Sequence, residues 1–146
     1  MKLISANKIA FHIADWEKDK NALTQIRKIV FIEEQNVPQD MEWDGHDETA
    51  IHYLARFNDK VIACARLKTD GQIGRMAVLE NYRRQGIGNK LLVFVIQHAI
   101  TNNFKQLFLH AQVDAIPFYE KQSFIAHGDI FIEADIPHRE MYKIIN

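Results

Sequence analysis

The sequence has little cysteine and little net charge. Cys64 is the single cysteine among 146 residues, so no internal disulfide can form. It lies in the apolar stretch Val61–Ala65, which predicts a buried structural thiol, because reactive thiols need an electropositive and partly exposed setting. The formal net charge of −1 argues against a dedicated nucleic-acid binder. A chain without disulfides fits a reducing compartment, and we expect the cytoplasm.

Long apolar segments are also missing. No apolar run approaches the roughly 20 residues that cross a bilayer, and residues 1–6 lack the apolar core of a signal peptide, so no membrane association is expected. The seven histidines show no metal-ligand spacing, so no metal is expected either. Hydrophobic residues make up 47% and charged residues 25%, the balance of one globular domain, which we place at residues 7–146.

Hydrophobic periodicity predicts alternating strands and helices. Strands are predicted over 8–13, 51–57, 61–68, 72–78, 106–111, 124–126 and 140–145. Helices are predicted over 21–32, from residue 88 to about 102, and from a cap at Asp114 to Gln122, while 39–49 is predicted as a polar loop or a short irregular helix. This order predicts an α/β fold with a mixed, mostly antiparallel sheet flanked by helices.

The strongest chemical signal is a glycine-containing loop, Arg83-Arg84-Gln85-Gly86-Ile87-Gly88, between a strand and a long amphipathic helix. The first amides of a helix have no internal partner and lie at the positive end of the helix dipole. Glycines let an anion approach those amides, and the two arginines can add charged hydrogen bonds. The loop matches neither a dinucleotide-binding G-x-G-x-x-G, since position 91 is leucine, nor a P-loop, since Gly88-Asn89-Lys90 lacks G-K-[ST]. It therefore predicts a different kind of pyrophosphate site.

Two segments together resemble the GNAT acetyltransferases. Gln72 to Gly88 resembles their cofactor motif, R/Q-x-x-G-x-G/A after a central strand. Ala115 to Phe124 resembles their second motif, A-x-x-F-Y-x-x-x-G-F, with Ser123 in place of the usual glycine. Just before it, Asp114 stands where many members carry asparagine. The resemblance covers roughly residues 7–146.

The resemblance implies an acetyl-CoA-dependent N-acetyltransferase with a single-domain GNAT-like fold. Acetyl-CoA is the implied cosubstrate and a primary amine the implied acceptor. The family often forms dimers, so a homodimer is an expected assembly. The implied cofactor-binding residues are Met76, Ala77, Val78, Arg83, Arg84, Gln85, Gly86, Ile87, Gly88, Asn89 and Lys121. Among these, the backbone amides from Met76 to Val78 would bind the pantetheine arm.

The same resemblance implies an acid and a base. Tyr119 occupies the position of the family's general acid, which protonates the departing thiolate. His138 is the candidate base, because histidine titrates near neutral pH and Pro137-His138-Arg139-Glu140-Met141-Tyr142-Lys143 resembles the C-terminal strand of a small-molecule branch that includes glyphosate N-acetyltransferase. His110 is the reserve base. A third possibility is that the acceptor amine loses its proton to water, without a side-chain base. Tyr119 as a core aromatic and His138 as a solvated turn residue are the structural alternatives.

The acceptor itself is not specified by the sequence. Residues 33–48 contain seven acidic side chains and no lysine or arginine, which predicts either a rim that attracts a cationic amine or a solvated loop. We expect a small-molecule acceptor. The alternatives are a protein lysine or N-terminus as acceptor, and a non-catalytic acyl-CoA sensor.

Overall fold

The computed structural model describes residues 8–146. Residues 1–7, which hold the segment compared with signal peptides and the predicted start of the domain, lie outside the described residues. Within residues 8–146, seven strands form two antiparallel sheets, ordered β1-β2-β3-β4 and β5-β7-β6. The strands are β1 (Ile9–Ile13), β2 (Ile51–Phe57), β3 (Lys60–Leu67), β4 (Ile73–Val78), β5 (Gln106–Gln112), β6 (Ile125–Glu133) and β7 (Ile136–Ile144).

Four α-helices connect these strands in the described residues. They are α1 (Trp16–Arg27), α2 (Gln39–Glu42), α3 (Ile87–Thr101) and α4 (Ile116–Glu120). Wider π-helical turns over Lys28–Glu34 extend α1, and short 3-10 turns over Glu80–Tyr82 and Val113–Ala115 precede α3 and α4. Within residues 8–146, no helix has the length and apolar character needed to cross a membrane.

In the described part of the chain, one isolated parallel bridge joins the two sheets. Gln72 pairs with Phe108 there, and the Phe108 amide donates to the Gly71 carbonyl at 3.1 Å. Gly71 has φ +95°, and a Cβ at this position would lie 2.6 Å from the Gln106 carbonyl oxygen, so glycine allows the two backbones to meet. Beyond this seam, no further backbone pairing joins β4 to β5 within residues 8–146, and the two strands diverge. The predicted mixed, mostly antiparallel α/β fold is confirmed.

The larger sheet carries a helix on each face. Along β3, Ala63 and Ala65 belong to the core beneath α3, whereas Cys64 belongs to the core beneath α1, as strand alternation requires. The predicted inner face of α3 is confirmed, since all five of its residues are buried: Leu91, Leu92, Val95, Ile96 and Ala99. Cys64 is 1% exposed, and burial raises the pKa of its thiol to about 12, so the predicted structural role is also confirmed.

Two helix starts differ from prediction. The first helix begins at Trp16, five residues before the predicted Asn21, because the Asp15 carboxylate accepts from the Glu17 amide at 3.0 Å and the Lys18 amide at 3.4 Å. The predicted cap at Asp114 is wrong: α4 begins at Ile116 after Ala115, without a side-chain cap.

The C-terminal hairpin is longer than predicted. β6 extends to Glu133 and β7 starts at Ile136, whereas the sequence predicted strands over 124–126 and 140–145. Ala134 and Asp135 form the connecting turn with φ values of +51° and +61°. Such a two-residue turn usually carries Asn-Gly or Asp-Gly, and Ala-Asp gives no such signal. His138 therefore lies inside the last strand rather than before it.

Candidate active site

Two cavities meet where β4 and β5 diverge. The β5 cleft has a volume of about 270 Å³, and its lining includes Met41, Arg75, His110 and His138. The β4 channel also has a volume of about 270 Å³ and runs along Ala77 and Val78 to Gly88 and Phe118. Three residues line both cavities: Gln35, Met76 and Tyr119. The two cavities are therefore neighbours, and these three side chains border both.

The far end of the β4 channel is the start of α3. Gly86 precedes the helix with φ +79°, and the first helical hydrogen bond runs from the Lys90 amide to the Gly86 carbonyl at 3.1 Å. The amides of residues 87–89 precede that bond at the positive end of the helix dipole. A Cβ on Gly88 would touch the Phe118 ring at 3.5 Å and Val78 Cγ2 at 3.6 Å, so glycine keeps the channel open here. The backbone can therefore receive an anion.

Two side chains near the start of α3, those of Arg83 and Asn89, make hydrogen bonds within the protein. Arg83 Nε donates to the Val78 carbonyl at 2.7 Å, and its Nη2 lies 2.8 Å from Glu34 Oε2, so Arg83 braces the channel wall. Arg84 is exposed, with φ +64°. Asn89 accepts from Gln122 Nε2 at 2.9 Å. Arg83 and Asn89 therefore have partners within the protein, and the backbone amides before α3 and the exposed Arg84 side chain are among the groups that an anion could contact.

The remaining predicted cofactor residues are distributed unevenly. Met76, Ala77 and Val78 line the channel as expected. Ile87 is buried and contributes its side chain to the core. Gln85 lies in the turn before the helix. Lys121 is exposed at the end of α4 and lines neither cavity.

Tyr119 lies where the cleft and the channel join. Its ring packs edge-on against Phe118, with centroids 5.0 Å apart, and against Phe124 at 6.1 Å. Among residues 8–146, none hydrogen-bonds its hydroxyl. Burial raises the pKa of the Tyr119 phenol to about 12, so the group stays protonated at neutral and moderately alkaline pH. A free, protonated hydroxyl is suited to donate to a group in the site.

His138 is 8% exposed and lines the β5 cleft. Its Nδ1 donates to the Ile136 carbonyl at 2.7 Å, and because a carbonyl only accepts, this bond fixes the proton on Nδ1. In the neutral ring Nε2 then carries the lone pair. The ring stacks on Phe131 with centroids 5.8 Å apart, which holds its orientation. The arrangement is that of a hydrogen-bond and proton acceptor.

His110 has a different environment in the same cleft. Its Nδ1 lies 3.0 Å from Glu133 Oε2, and its Nε2 lies 3.7 Å from Glu140 Oε2. Both ring nitrogens face carboxylates, which accept protons and donate none. Of the two histidines, His138 therefore offers the better placed lone pair.

The acidic stretch 33–48 is not simply a solvated rim. Its inner carboxylates pair with arginines outside the stretch: Arg27 with Glu42 and Asp47 at 2.8 Å, Arg66 with Asp44 at 2.8 Å and Asp47 at 3.0 Å, and Arg75 with Asp44 at 3.0 Å. Burial alone would raise the pKa of Asp44, but hydrogen bonds from Arg66 and the His46 amide, together with the charges of Arg66 and Arg75, outweigh it and hold that pKa well below the usual 3.8. Three cations thus neutralise three of the acids that were expected to attract a cationic acceptor.

Two site residues were missed by the sequence reasoning. Gln35 lines both cavities and accepts from Gln112 Nε2 at 3.0 Å. It follows the π-helical turns, where no motif marks it. Glu133 was missed because β6 was predicted to end seven residues earlier. Among residues 8–146, no group of three potential metal-ligating side chains comes together.

Comparison with known proteins identifies the family. Residues 17–145 match the family described as "Acetyltransferase (GNAT) domain". Protein ElaA of Escherichia coli K12 is 35% identical over 131 residues, covering 84% of this chain and 85% of ElaA. The chain therefore belongs to the GNAT family of N-acetyltransferases, enzymes that use acetyl-CoA as acyl donor.

Solved structures agree with this assignment. The crystal structure of E. coli ElaA has a TM-score of 0.83 and 30% identity, covering 92% of this chain and 99% of that one. An acyl-CoA N-acyltransferase from Pseudomonas aeruginosa has a TM-score of 0.84 and 28% identity over the same shares. A GNAT acetyltransferase from Elizabethkingia anophelis, solved with acetyl-CoA bound, shares the fold at a TM-score of 0.67 and 20% identity, covering 94% of this chain and 99% of that one.

Proposed function

We propose that this enzyme transfers the acetyl group of acetyl-CoA to the primary amine of a small molecule by direct attack. The observation that carries the proposal is the junction of the two cavities at Tyr119. A donor in the β4 channel and an acceptor in the β5 cleft would meet beside its hydroxyl. The rate would then come largely from holding the two reactants together.

The β4 channel fits the donor. The amides from Met76 to Val78 would bind the pantetheine arm along β4, and the amides after Gly86 would bind the pyrophosphate. The Elizabethkingia structure shares the fold and holds acetyl-CoA, which supports acetyl-CoA as the donor. Arg83 would act indirectly by bracing Val78, and Lys121 would act, if at all, at the protein surface.

The chemistry assigns one proton transfer to each of two side chains. His138 Nε2 would take the proton from the attacking nitrogen as the C–N bond forms. Fixed backbone dipoles near Met76 would stabilise the oxyanion. As the C–S bond breaks, the Tyr119 hydroxyl would give its proton to the sulfur, yielding the amide and free coenzyme A. Solvent would then carry the proton on His138 back to the phenolate.

A small acceptor is favoured by the size of the cleft. A volume of about 270 Å³ suits one small molecule, and α2 and the β6–β7 hairpin border it. Because arginines neutralise the inner carboxylates of residues 33–48, these acids give the cleft no strong preference for a cationic acceptor. A protein acceptor and a non-catalytic acyl-CoA sensor are the alternative outcomes of the test, and a cytoplasmic location and a homodimer stay predictions.

The test combines ligand-induced stabilisation with turnover. Coenzyme A should raise the melting temperature, because a ligand that binds the folded state stabilises it. Release of free thiol should depend on an amine from a panel of small molecules and lysine peptides. Gly86→Val should abolish the thermal shift. Gly128→Val is the matched control, because Gly128 has φ +77° against +79° for Gly86, and neither glycine has a neighbour within 4 Å of an added Cβ.

The possible results separate the alternatives. Stabilisation without amine-dependent thiol release would identify a sensor, and release only with peptides would identify a protein acceptor. If Gly86→Val keeps the wild-type shift, the pyrophosphate does not lie at the start of α3.

A further inference from the structure

The strand β4 contains a bulge beside the reaction site. Arg66 pairs with Gly74 and Cys64 with Ala77, so the two residues Arg75 and Met76 lie opposite the single residue between them on β3. Arg75 has φ +51°, a left-handed conformation that residues other than glycine rarely adopt. Unusual backbone of this kind persists where surrounding contacts hold it.

One contact holds the bulge from beneath. The Cys64 thiol donates to the Arg75 carbonyl at 3.3 Å. Met76, the next residue, lines both the cleft and the channel. The conformation of Arg75 therefore determines how the backbone at Met76 faces the thioester.

The Arg75 side chain reaches the opposite wall of the cleft. Its Nη2 donates to the carbonyls of Met41 at 3.1 Å and Glu42 at 3.0 Å, and to Asp44 Oδ2 at 3.0 Å. Its Nε lies 3.1 Å from Glu42 Oε2 but is not aimed at it, so that contact is electrostatic and the N–H has no hydrogen-bond partner among residues 8–146. Met41 and Glu42, like Arg75, line the β5 cleft.

The other two arginines of this ion-pair network do not border the cleft. Arg27 and Arg66 are almost fully buried, and neither lines the cleft or the channel. They fix the acidic segment to α1 and β3. Arg75 alone among the three joins that segment to the strand that carries the donor.

We propose that Arg75 is a positioning residue that fixes the acceptor wall relative to the thioester. Its backbone sets the bulge at Met76, and its guanidinium holds Met41 and Glu42 across the cleft. One residue thus fixes the position of the attacking amine relative to the acyl carbon. The inference rests on the proposed function, since it needs an amine in the β5 cleft.

The decisive variant is Arg75→Gly. Glycine adopts a positive φ without cost and so keeps the bulge, but it removes every contact to the acceptor wall. We expect amine acetylation to fall about 10²-fold, the effect of a displacement of about 1 Å between reactants. Slow hydrolysis of acetyl-CoA without an amine should fall much less than amine acetylation, so that the ratio of acetylation to hydrolysis drops, and coenzyme A should still raise the melting temperature. A merely structural defect would lower both rates together.

Two further variants complete the experiment. Arg75→Lys keeps the charge but cannot bond several oxygens in a planar fork, so it should also lower the ratio of amine acetylation to acetyl-CoA hydrolysis. If Arg75→Gly does not fold, Arg75→Lys takes its place in the experiment. Arg56→Gln is the control, because Arg56 pairs with Asp19 at 3.1 Å and lines neither cavity; its ratio should equal that of the wild type.

The outcomes are distinguishable. A wild-type ratio in Arg75→Gly and Arg75→Lys, or an equal loss of both rates in the folded variants, would overturn the positioning role while leaving the proposed function intact. A wild-type enzyme that binds coenzyme A but acetylates no amine would overturn the proposed function, and the inference with it.

Discussion

Tyr119→Phe is the substitution that separates chemistry from packing most cleanly. It removes one oxygen and keeps the ring contacts to Phe118 and Phe124. Because no residue among 8–146 hydrogen-bonds the hydroxyl, we expect the free energy of unfolding to change by less than about 0.5 kcal/mol. Coenzyme A affinity should also be unchanged, since the hydroxyl is assigned to the leaving sulfur and not to cofactor binding.

Turnover should respond far more strongly. General acid catalysis contributes roughly 10²–10⁴-fold, which corresponds to about 2.7–5.4 kcal/mol of transition-state free energy. The variant should therefore lose at least about 10²-fold in kcat with an amine acceptor. Burial raises the pKa of Tyr119 to about 12, so the wild-type rate should show no decline from loss of this proton between pH 7 and pH 10.

The assay is thiol release under saturating acetyl-CoA, with urea unfolding of the same samples. Tyr142→Phe is the matched control: Tyr142 lies in β7 and lines neither cavity, so its kcat should equal that of the wild type. If Tyr119→Phe also keeps wild-type kcat, Tyr119 is a packing residue and the general-acid assignment is wrong.

Three further predictions concern the base, a turn and the ion-pair network. His138→Ala should lower the rate of amine acetylation by about 10²-fold or more, as expected for loss of a general base, and a wild-type rate would favour His110 or water as the base. Ser123→Gly should raise the free energy of unfolding by about 0.5–1 kcal/mol in urea titrations, because Ser123 has a strained φ of +65° that glycine adopts easily. The relief of this strain outweighs the added freedom of the unfolded chain, and a loss of stability would contradict the prediction. The lowered pKa of Asp44 adds stability that is present above its unfolded value of 3.8 and is lost as pH falls below it. In Asp44→Asn the decline in unfolding free energy below about pH 4 should be shallower than in the wild type, and an equal slope would show that Asp44 does not cause it.

Local patterns predicted the elements that surround the β4 channel. The loop before α3 and the buried face of that helix follow from short-range spacing, which one sequence displays directly. The roles of Tyr119 and of Met76 to Val78 came from the family resemblance and stay predictions. The structure places Tyr119 in the lining of both cavities and Met76 to Val78 along the channel.

The acceptor half depends on contacts between distant segments. Arg27 and Asp47 are 20 residues apart, and Arg66 and Asp44 are 22 apart, so the acidic stretch looked uncompensated in the sequence. The left-handed conformation at Arg75 had no glycine to mark it. Such pairings are decided by tertiary packing, and local preferences do not encode them.

The burial of Cys64 has a chemical consequence for an enzyme of this family. Each turnover releases a free thiol, coenzyme A, and the proposed function places it next to β4, the strand whose Arg75 carbonyl accepts a hydrogen bond from the Cys64 thiol. Mixed disulfides form through a thiolate that can reach its partner, and Cys64 is 1% exposed with a pKa raised to about 12. The single cysteine of the chain is therefore protected from oxidative coupling to the product, and the enzyme can work at high coenzyme A concentrations without self-inactivation by this route.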